Sequence, residues 1–360
     1  MSRTIIVGNG VAGSLLAWAF YQKGEPFTLI GKPVETSSSA VAAGVLNPVT
    51  GKRLAKGWMI ETFLSTAMQR YRELEEAWEE TFFYQLPIQR FCLSSKEVET
   101  HRKRREDPEY RGFLGPLRAP GSLVPEFRDD YGSFPIEPVG YVELPKFLEA
   151  ASRFFSKHDS REEGVFQYED LYVSKKEIRY RGENIQRVIF CEGHEVNRNP
   201  FFAWLPFRPV RGEIITLRIP GLTLPKAIYH HRKWILPLPD GSFRVGSTYD
   251  RGGLTAIPTL AGKEALLQGV EGMFHPDFAP ELLQHRAGVR PCSKDTRPYL
   301  GQHPQYPGLF VLNGMSSKGA VYGPWAADHL ADHIIAKQPL EPAFDALRFG
   351  RLYRDSGGGV

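Results

Sequence analysis

The stretch TIIVGNGVAGSLLAWAFYQKG, residues 4–24, joins a short apolar run, a glycine-rich turn and an amphipathic segment. The run at 5–7 predicts a buried strand, and apolar residues at helical spacing over 15–20 predict a helix. In such a turn Gly8 permits the tight bend, Gly10 lets a pyrophosphate approach the backbone, and Gly13 lets the helix pack closely on the strand. The phosphates would lie at the helix N-terminus. This pattern favours dinucleotide binding over an incidental glycine-rich turn.

The second strand, predicted over residues 26–30, bears on which dinucleotide is bound. The adenosine ribose usually meets an acidic residue at the end of this strand. Here Gly31 and Lys32 follow instead, so the ribose hydroxyls need other partners. Lys32 could face a 2′-phosphate, as in an NADP site, although we favour a solvated loop lysine.

Length and composition limit the class of protein. The chain has 360 residues, of which 42% are hydrophobic, and a net charge of +4 from 45 basic and 41 acidic side chains. This length is enough for two domains, and so mild a charge does not indicate a nucleic-acid or membrane partner. The dense basic run at 102–105 is interpreted as a solvated loop, with RNA contact as the alternative.

The spacing of the cysteines and the length of the apolar segments indicate whether a metal site or a membrane span is expected. Cys92, Cys191 and Cys292 lie far apart and form no metal-ligand pattern. No apolar run reaches the roughly 18 residues needed to cross a bilayer. We expect a cytoplasmic protein in a reducing compartment, with no metal and no secretory leader.

The remaining patterns suggest how the chain is organised. Helices are predicted over 57–82, 144–155 and 324–335, and short apolar runs broken by Pro and Gly over 86–141 suggest a second domain. Alternating runs over 208–250, with an Asp-Gly turn at 240–241, predict antiparallel strands. A second strand–glycine–helix unit lies at 308–335. The order predicts an α/β domain interrupted by an inserted antiparallel sheet.

Five motifs carry a resemblance to a known family. They are VGNGVAGSLLA at 7–17, SSSAVAAG at 37–44, IFCEG at 189–193, GVRPCSKDTRPYLGQHP at 288–304 and LNGMSSKGAVYGPWAADHLA at 312–331. With them the chain resembles the FAD-dependent D-amino-acid oxidase superfamily, and within it the glycine/sarcosine oxidase-like branch. The resemblance implies FAD as the cofactor and an α/β fold in which a Rossmann-like FAD-binding domain carries an inserted antiparallel-sheet (α+β) substrate domain.

The expected domains follow from the resemblance and the strand pattern. The FAD-binding domain is expected at 1–85, 142–207 and 286–350, the substrate domain at 86–141 and 208–285, and a flexible tail at 351–360. Within the tail, residues 356–360 are of low complexity.

The resemblance also implies the residues that contact the cofactor. Those at 42–45 run beside the flavin ring, and those at 314–319 present N–H groups and a basic side chain to its N1/O2 edge. A solvent-facing lysine is the alternative for Lys318. The expected cofactor-binding residues are Gly8, Gly10, Val11, Ala12, Gly13, Lys32, Ser39, Ala42, Ala43, Gly44, Val45, Glu192, Gly193, Gly314, Met315, Ser316, Ser317, Lys318 and Gly319.

Catalytic-site residues are implied in the same way. Arg290 matches the arginine that binds the substrate carboxylate, and its alternative is an ion pair with Asp295. Lys318 would stabilise the reduced flavin. Tyr229 and Tyr249, on the inserted sheet, could each supply a hydroxyl. His230 and His231 are weaker candidates for a base.

The implied reaction is oxidation of the C–N bond of an amino acid or of a secondary amine that carries a carboxylate. A hydride passes from the carbon to flavin N5, the imine hydrolyses, and dioxygen or another acceptor takes the electrons. Covalent attachment of the flavin, for example through Cys292, is not expected. Two departures from the family pattern are Gly31, in place of an acid, and Met315, in place of a frequent histidine.

Three alternatives remain at this point. NPVTGKR at 47–53 is similar to the oxidase half of the bifunctional enzymes that trim a carboxymethyl group from a modified wobble uridine in tRNA. An NADP-dependent reductase would depend on Lys32. A flavin-binding protein without amine oxidase activity would be explained by the altered turn at Met315.

Overall fold

The computed structural model describes residues 4–123, 125–275 and 279–355. The α-helices are α1 Val11–Gln22, α2 Ser38–Val41, α3 Ile60–Trp78, α4 Ser95–Glu106, α5 Leu144–Lys157, α6 Leu260–Glu271, α7 Gly319–Ala336 and α8 Gly350–Asp355. The strands are β1 Thr4–Val7, β2 Phe27–Ile30, β3 Val45–Leu46, β4 Val49–Thr50, β5 Ala55–Lys56, β6 Phe83–Tyr84, β7 Ile88–Phe91, β8 Ser133–Ile136, β9 Gly140–Val142, β10 Arg161–Glu162, β11 Leu171–Val173, β12 Ile178–Tyr180, β13 Glu183–Ile185, β14 Arg187–Phe190, β15 Val210–Arg218, β16 Ile228–His230, β17 Trp234–Pro237, β18 Phe243–Gly246, β19 Glu281–Arg290, β20 Tyr299–Gln302 and β21 Leu309–Asn313.

A six-stranded sheet in the order β10-β2-β1-β14-β21-β20 is the base of the fold. Its strands are parallel except β20, which runs antiparallel to β21. Alternate residues of each strand point to opposite faces. Ile6 therefore packs in the cluster with α1, α3, α5 and α7, whereas Ile5 and Val7 pack in the cluster on the other face. Because both faces are covered, the inner strands β1, β2, β14 and β21 consist mainly of apolar residues.

A seven-stranded sheet in the order β19-β15-β18-β17-β16-β7-β8 is the second large sheet of the fold. Its pairs are antiparallel apart from β16 with β7. One face packs on α6 through Ile215, Val245 and Leu266. The opposite face carries Ile214, Ile228 and side chains at the end of β19. We call this second face the roof, because it lies over the cavity described below.

The helix α7 accommodates a proline in its interior. Pro324 has no N–H to donate to the carbonyl of Ala320, four residues earlier. The hydroxyl of Tyr71, from α3, donates to that carbonyl at 2.9 Å. A helix from another part of the chain thus satisfies the acceptor, and α7 continues from Gly319 to Ala336.

Several predicted elements differ from those observed. The predicted helix 57–82 is shorter, because Met59 and Glu79 at its two ends adopt left-handed backbone angles, and Trp58 lies outside it. The basic run at 102–105 is not a loop but part of α4. The helix predicted over 324–335 corresponds to α7, which begins earlier, at Gly319.

Two expected boundaries also need comment. The one at residues 285/286 falls inside β19, which pairs with β15 from Glu281 to Arg290, so this strand is shared by the two expected domains, whose division stays a prediction. Of the expected tail, 351–355 belongs to α8, and 356–360 lies outside the described residues. Across those described, each helix is too short or too polar to span a membrane.

Candidate functional site

A cavity of about 1300 Å³ lies between the carboxyl edge of the six-stranded sheet and the roof. It extends from the glycine-rich turn after β1 to the end of β19. Most of the expected site residues line it: Gly8, Gly10, Val11, Ala12, Lys32, Ser39, Ala42, Ala43, Gly44, Val45, Glu192, Gly193, Arg290, Met315, Ser316, Ser317, Lys318 and Gly319. Gly13, Gly314, Tyr229 and Tyr249 are not among its lining residues.

The glycine-rich turn is fixed by close contacts that exclude side chains. A Cβ at Gly13 would lie 1.7 Å from the carbonyl oxygen of Gly8, and one at Gly8 would lie 2.5 Å from the carbonyl oxygen of Cys191. Gly13 thus sets the packing of helix on strand without reaching the cavity. Ser39 is tied to the same turn, since its hydroxyl accepts from the N–H of Val11 at 3.2 Å.

The segment at 42–45 borders the cavity through a second constrained glycine. Gly44 has φ of +68°, and a Cβ there would lie 2.0 Å from the carbonyl oxygen of Val142. The carbonyl of Gly44 accepts from the N–H of Val142 at 3.0 Å. Strand β9, the middle strand of a three-stranded sheet in the order β3-β9-β6, therefore holds this segment against the cavity.

The turn before α7 is organised by a buried asparagine that the sequence did not identify. Asn313, 3% exposed, accepts from the N–H of Gly314 at 2.8 Å and donates to the carbonyl of Gly193 at 2.9 Å. It links the carboxyl ends of β14 and β21. The first residues of α7, Gly319 and Ala320, line the cavity, and the first N–H groups of a helix have no partner within it.

Lys318 precedes α7 and its side chain is half-buried at the cavity wall. Burial lowers the pKa of its ammonium group. Its Nζ lies 5.5 Å from the ring centre of Tyr322, and within the described residues no carboxylate pairs with it. This lysine is therefore not the fully solvated side chain of the alternative interpretation.

Arg290 is bound by the roof in a way that leaves part of its guanidinium free. Its Nη1 donates to the carbonyls of Arg211 and Thr248 at 3.4 and 3.3 Å, and its Nη2 donates to the hydroxyl of Ser247 at 3.0 Å. Three of the five N–H groups are thereby used. The N–H of Nε and the second N–H of Nη2 have no acceptor in the described part of the chain. Burial lowers the guanidinium pKa.

The alternative partner for Arg290 is engaged elsewhere. The carboxylate of Asp295 accepts from Nε and Nη2 of Arg348 at 2.8 and 3.1 Å.

Gly212 lies against the guanidinium of Arg290 and allows the position that this side chain adopts. A Cβ at 212 would lie 2.0 Å from Nη2 of Arg290. Gly212 and Ser247 were not predicted, since they lie far from Arg290 in sequence.

Glu192 lines the cavity, and its carboxylate already has protein partners. Tyr168 donates its hydroxyl to one oxygen, and Asn199 donates from Nδ2 to the other at 2.7 Å. Burial raises the pKa of this carboxyl group. Any contact of Glu192 with a ligand is therefore shared with these two side chains.

The two tyrosines predicted to supply a hydroxyl to the site do not line the cavity. Tyr229 is 1% exposed, stacks on Phe127 behind the roof, and donates to the carbonyl of Pro225. Its neighbours Ile228 and His230 point into the cavity, so strand alternation turns Tyr229 away from it. Tyr249 is 61% exposed, with its ring 5.7 Å from the guanidinium of Arg290, and lies outside the cavity wall.

The histidines and the cysteine have distinct surroundings. His230 lines the cavity, and burial lowers its pKa to about 3. His231 is buried on the other face, with its pKa lowered to about 4 by burial. Cys292 does not line the cavity, and burial raises the pKa of its thiol. His230 is therefore a neutral cavity group, and neither it nor His231 has the pKa of a base that works near neutrality.

Further lining residues were not identified from the sequence. The side chains of Trp234, Ile214, Ile228 and Arg286 contribute to the roof, and Asn9 contributes to the glycine-rich turn. The alternation of β15 and β16 could have identified the isoleucines if the direction of the roof had been known. No local signal distinguishes Asn9.

Comparison with known proteins provides an independent view. A family model described as FAD dependent oxidoreductase matches residues 3–333. A glycine oxidase of Bacillus licheniformis is 30% identical over 151 residues, which are 41% of this chain and 41% of that protein. A tRNA 5-methylaminomethyl-2-thiouridine biosynthesis bifunctional protein of Marinobacter nauticus is 23% identical over 98% of this chain and 58% of its own length. The chain thus covers less than two thirds of either relative.

The fold has solved counterparts. The crystal structure of iminodiacetate oxidase from Chelativorans sp. BNC1 superposes with a TM-score of 0.79 at 22% identity, over 94% of this chain and 96% of that one. At this identity the similarity concerns the fold alone. It agrees with the predicted class, a Rossmann-like α/β layer combined with an antiparallel sheet.

Proposed function

Because the chain belongs to the family of FAD-dependent oxidoreductases, we propose that it oxidises the C–N bond of an amino acid or of a secondary amine that carries a carboxylate. Its cofactor is FAD, which when bound supplies the redox chemistry by accepting a hydride from the carbon beside the nitrogen. Hydrolysis of the resulting imine would complete the reaction. The chain itself would bind, orient and shield the substrate.

The residues present fit FAD. The cavity joins two helix N-termini, those of α1 and α7, which are suited to anionic groups at its two ends. Gly8 and Gly13 admit no side chain, which fixes the turn, and Gly10, which lines the cavity, exposes backbone without a side chain for the pyrophosphate to approach. Lys318, half-buried without an acidic partner among the described residues, would bring positive charge to the flavin edge.

The arrangement of Arg290 is the observation that carries the substrate proposal. Its two free N–H groups belong to adjacent nitrogens, and a carboxylate accepts such a pair with both oxygens. The other three N–H groups are used by the roof, so the fork is held before any substrate arrives. Arg290 would therefore fix the carboxylate and thereby the orientation of the carbon to be oxidised.

The rest of the roof favours an amine in its neutral form. Trp234, Ile214 and Ile228 provide an apolar lining that excludes water. None of the described lining residues from the seven-stranded sheet is a carboxylate, so a substrate ammonium would have no anionic partner there. An amine that binds neutral needs no general base, in agreement with the low pKa of His230, about 3.

An anaerobic reduction screen tests the proposal. Purified protein with FAD is mixed with pairs that differ in the carboxylate, such as sarcosine with dimethylamine and glycine with methylamine. We expect loss of flavin absorbance with carboxylated members and little with their partners. Bleaching that is equally fast within each pair would reject the carboxylate requirement. Absence of bleaching across a broad set of amines and amino acids would instead favour a flavin-binding protein without this activity.

A second candidate is the same chemistry on a modified tRNA uridine. A carboxymethylaminomethyl group is itself a secondary amine with a carboxylate, so Arg290 could bind it in the same way. The alignment with the tRNA biosynthesis protein covers 98% of the chain, and the 47–53 segment places Asn47 and Thr50 on the cavity wall. Adding the corresponding modified nucleoside and tRNA to the screen would separate this substrate from free amino acids.

A further inference from the structure

The end of β2 lacks the side chain that usually receives the adenosine ribose. An acidic residue at this position hydrogen-bonds the ribose hydroxyls in related sites, whereas here the strand is followed by Gly31. Gly31 has an ordinary backbone conformation, so backbone angles do not require a glycine at this position. The restriction comes from a neighbour instead.

That neighbour is Asn9, the residue between the first two glycines of the turn. A Cβ built on Gly31 would lie 2.8 Å from Cγ, from Oδ1 and from the backbone nitrogen of Asn9. The carboxamide of Asn9 thus lies over Gly31, in the space that a side chain at residue 31 would enter. The polar group at the end of β2 is supplied by the turn after β1.

The carboxamide of Asn9 is free to bind a ligand. Asn9, Gly31 and Lys32 all line the cavity, and Asn9 is only partly exposed. Its backbone carbonyl accepts from the hydroxyl of Ser14 at 3.3 Å, which holds the turn in place. Neither Oδ1 nor Nδ2 of Asn9 forms a hydrogen bond with the described part of the protein.

We propose that Asn9 binds the hydroxyls of the adenosine ribose of FAD, in place of an acidic residue at the end of β2. Oδ1 would accept from one hydroxyl, and Nδ2 would donate to the oxygen of the other. A carboxylate can only accept, so the amide makes a different pair of bonds at the same place. This assignment concerns the cofactor and does not depend on which amine is oxidised.

Other polar side chains near this end of the cavity are less suited to the role. Both oxygens of Glu192 are engaged by Tyr168 and Asn199. Lys32 is exposed and can only donate. Glu35 is also exposed, and its carbonyl accepts from Arg286 at 2.6 Å, so it lies close enough to serve as a matched control in the same loop.

Binding of FAD to the apoprotein tests the assignment without reference to turnover. The dissociation constant is measured by quenching of flavin fluorescence for the wild type, Asn9→Ala, Asn9→Asp and Glu35→Ala. We expect Asn9→Ala to weaken binding by about 10- to 30-fold, the loss of two ordinary hydrogen bonds. Asn9→Asp and Glu35→Ala should stay within about threefold of the wild type.

A cofactor analogue distinguishes ribose recognition from a disturbed turn. FAD whose adenosine lacks the 2′-hydroxyl should bind the wild type several-fold more weakly than FAD does, and this difference should shrink in Asn9→Ala. An equal loss for both ligands, with a lowered Tm of the apoprotein, would show that Asn9 only supports the turn. Unchanged binding by Asn9→Ala, or a loss confined to Glu35→Ala, would also overturn the assignment.

Discussion

Arg290 shows how a single side chain can be committed in part to the fold and in part to a ligand. The carbonyls of Arg211 and Thr248 and the hydroxyl of Ser247 fix the plane of its guanidinium. A lysine could keep the charge but not the geometry, because its single nitrogen cannot present two parallel N–H groups to the two oxygens of a carboxylate. The consequence for binding can be measured directly.

Replacement of Arg290 by lysine should weaken a carboxylated substrate far more than it weakens the fold. Loss of one of two charge-assisted hydrogen bonds, at roughly 1.5 to 3 kcal/mol, corresponds to an apparent binding constant raised about 10- to 150-fold. Steady-state or anaerobic reduction kinetics give this value. FAD content should not change. A simple alkylamine serves as the control substrate and should be unaffected; equal losses on both substrates, or release of FAD, would make Arg290 a structural residue.

The individual residues that could be predicted are those whose function depends on a local motif or on family resemblance. Gly8 and Gly10 were expected at the cavity from the turn pattern, and Arg290 from the motif around it. The prediction that Tyr229 supplies a hydroxyl to the site was wrong. A strand pattern indicates that successive side chains alternate between two faces, but it does not indicate which face lies over the cavity. Asn9 was missed because its role depends on Gly31, a neighbour brought close only by pairing of β1 and β2.

At the level of elements, the β1–turn–α1 unit contains glycines with two different roles, one in packing the helix on the strand and one at the cavity. Gly13 is needed for packing, since a Cβ would lie 1.7 Å from the backbone oxygen of Gly8. Gly10 has more space, because the nearest atom to its Cβ would be the hydroxyl oxygen of Ser39 at 3.0 Å. A side-chain hydroxyl can rotate away, whereas a backbone carbonyl in a strand turn cannot.

Alanine at these two positions should therefore have different effects. Gly13→Ala should lower the free energy of unfolding of the apoprotein by about 1 to 3 kcal/mol, as an overpacked core site. Gly10→Ala should cost less than about 1 kcal/mol yet weaken FAD binding, because its methyl group would face the pyrophosphate. Denaturant unfolding and flavin titration measure the two quantities. Equal destabilisation by both variants would contradict the distinction.

The prediction of elements succeeded where hydrophobic periodicity was strong. The helix at 144–155 was recovered closely as α5, Leu144–Lys157. The helix α4 was missed because it is charged on nearly all sides, with only His101 buried. Such a helix depends on capping rather than on an apolar stripe: the hydroxyl of Ser94 accepts from the N–H of Glu97 at 3.3 Å. The capping pattern of Ser94 and Glu97 was the available signal.

For the whole molecule, histidines whose pKa values are strongly lowered in the folded protein connect stability with pH. Burial lowers the pKa of His230 to about 3 and those of His231 and His303 to about 4. An unfolded chain has ordinary histidines, which protonate near pH 6.5. Between these values the unfolded state binds more protons than the folded state, so stability falls as the pH decreases below about 6.5.

The expected acid sensitivity can be assigned to one of these histidines. Between about pH 4.5 and 6, each of His230, His231 and His303 should contribute roughly 1.4 kcal/mol per pH unit to the decline in the free energy of unfolding. His230→Gln should reduce the slope of the free energy of unfolding against pH by about that amount. The free energy of unfolding near pH 8 should change less. Denaturant unfolding at a series of pH values gives the slopes. An unaltered slope in the variant would mean that His230 is protonated in the folded protein.

The family was correctly predicted from the five motifs, and the family match over residues 3–333 confirms it. The cofactor was predicted with it. The division into domains stays a prediction, because the chain passes between the two large sheets several times and β19 crosses one expected boundary. Which strands share a sheet depends on contacts between distant segments, which periodicity does not report.

The glycine beneath Arg290 has a consequence for how relatives of this chain can diverge. A Cβ at 212 would collide with the guanidinium, so a residue larger than glycine at 212 would displace the guanidinium from its present position. A relative that keeps the arginine fork in this position is expected to keep glycine at 212, whereas one that has lost the arginine can carry a larger residue there. Covariation of this pair in an alignment would therefore sort the family into members that retain the arginine fork and members that have replaced it.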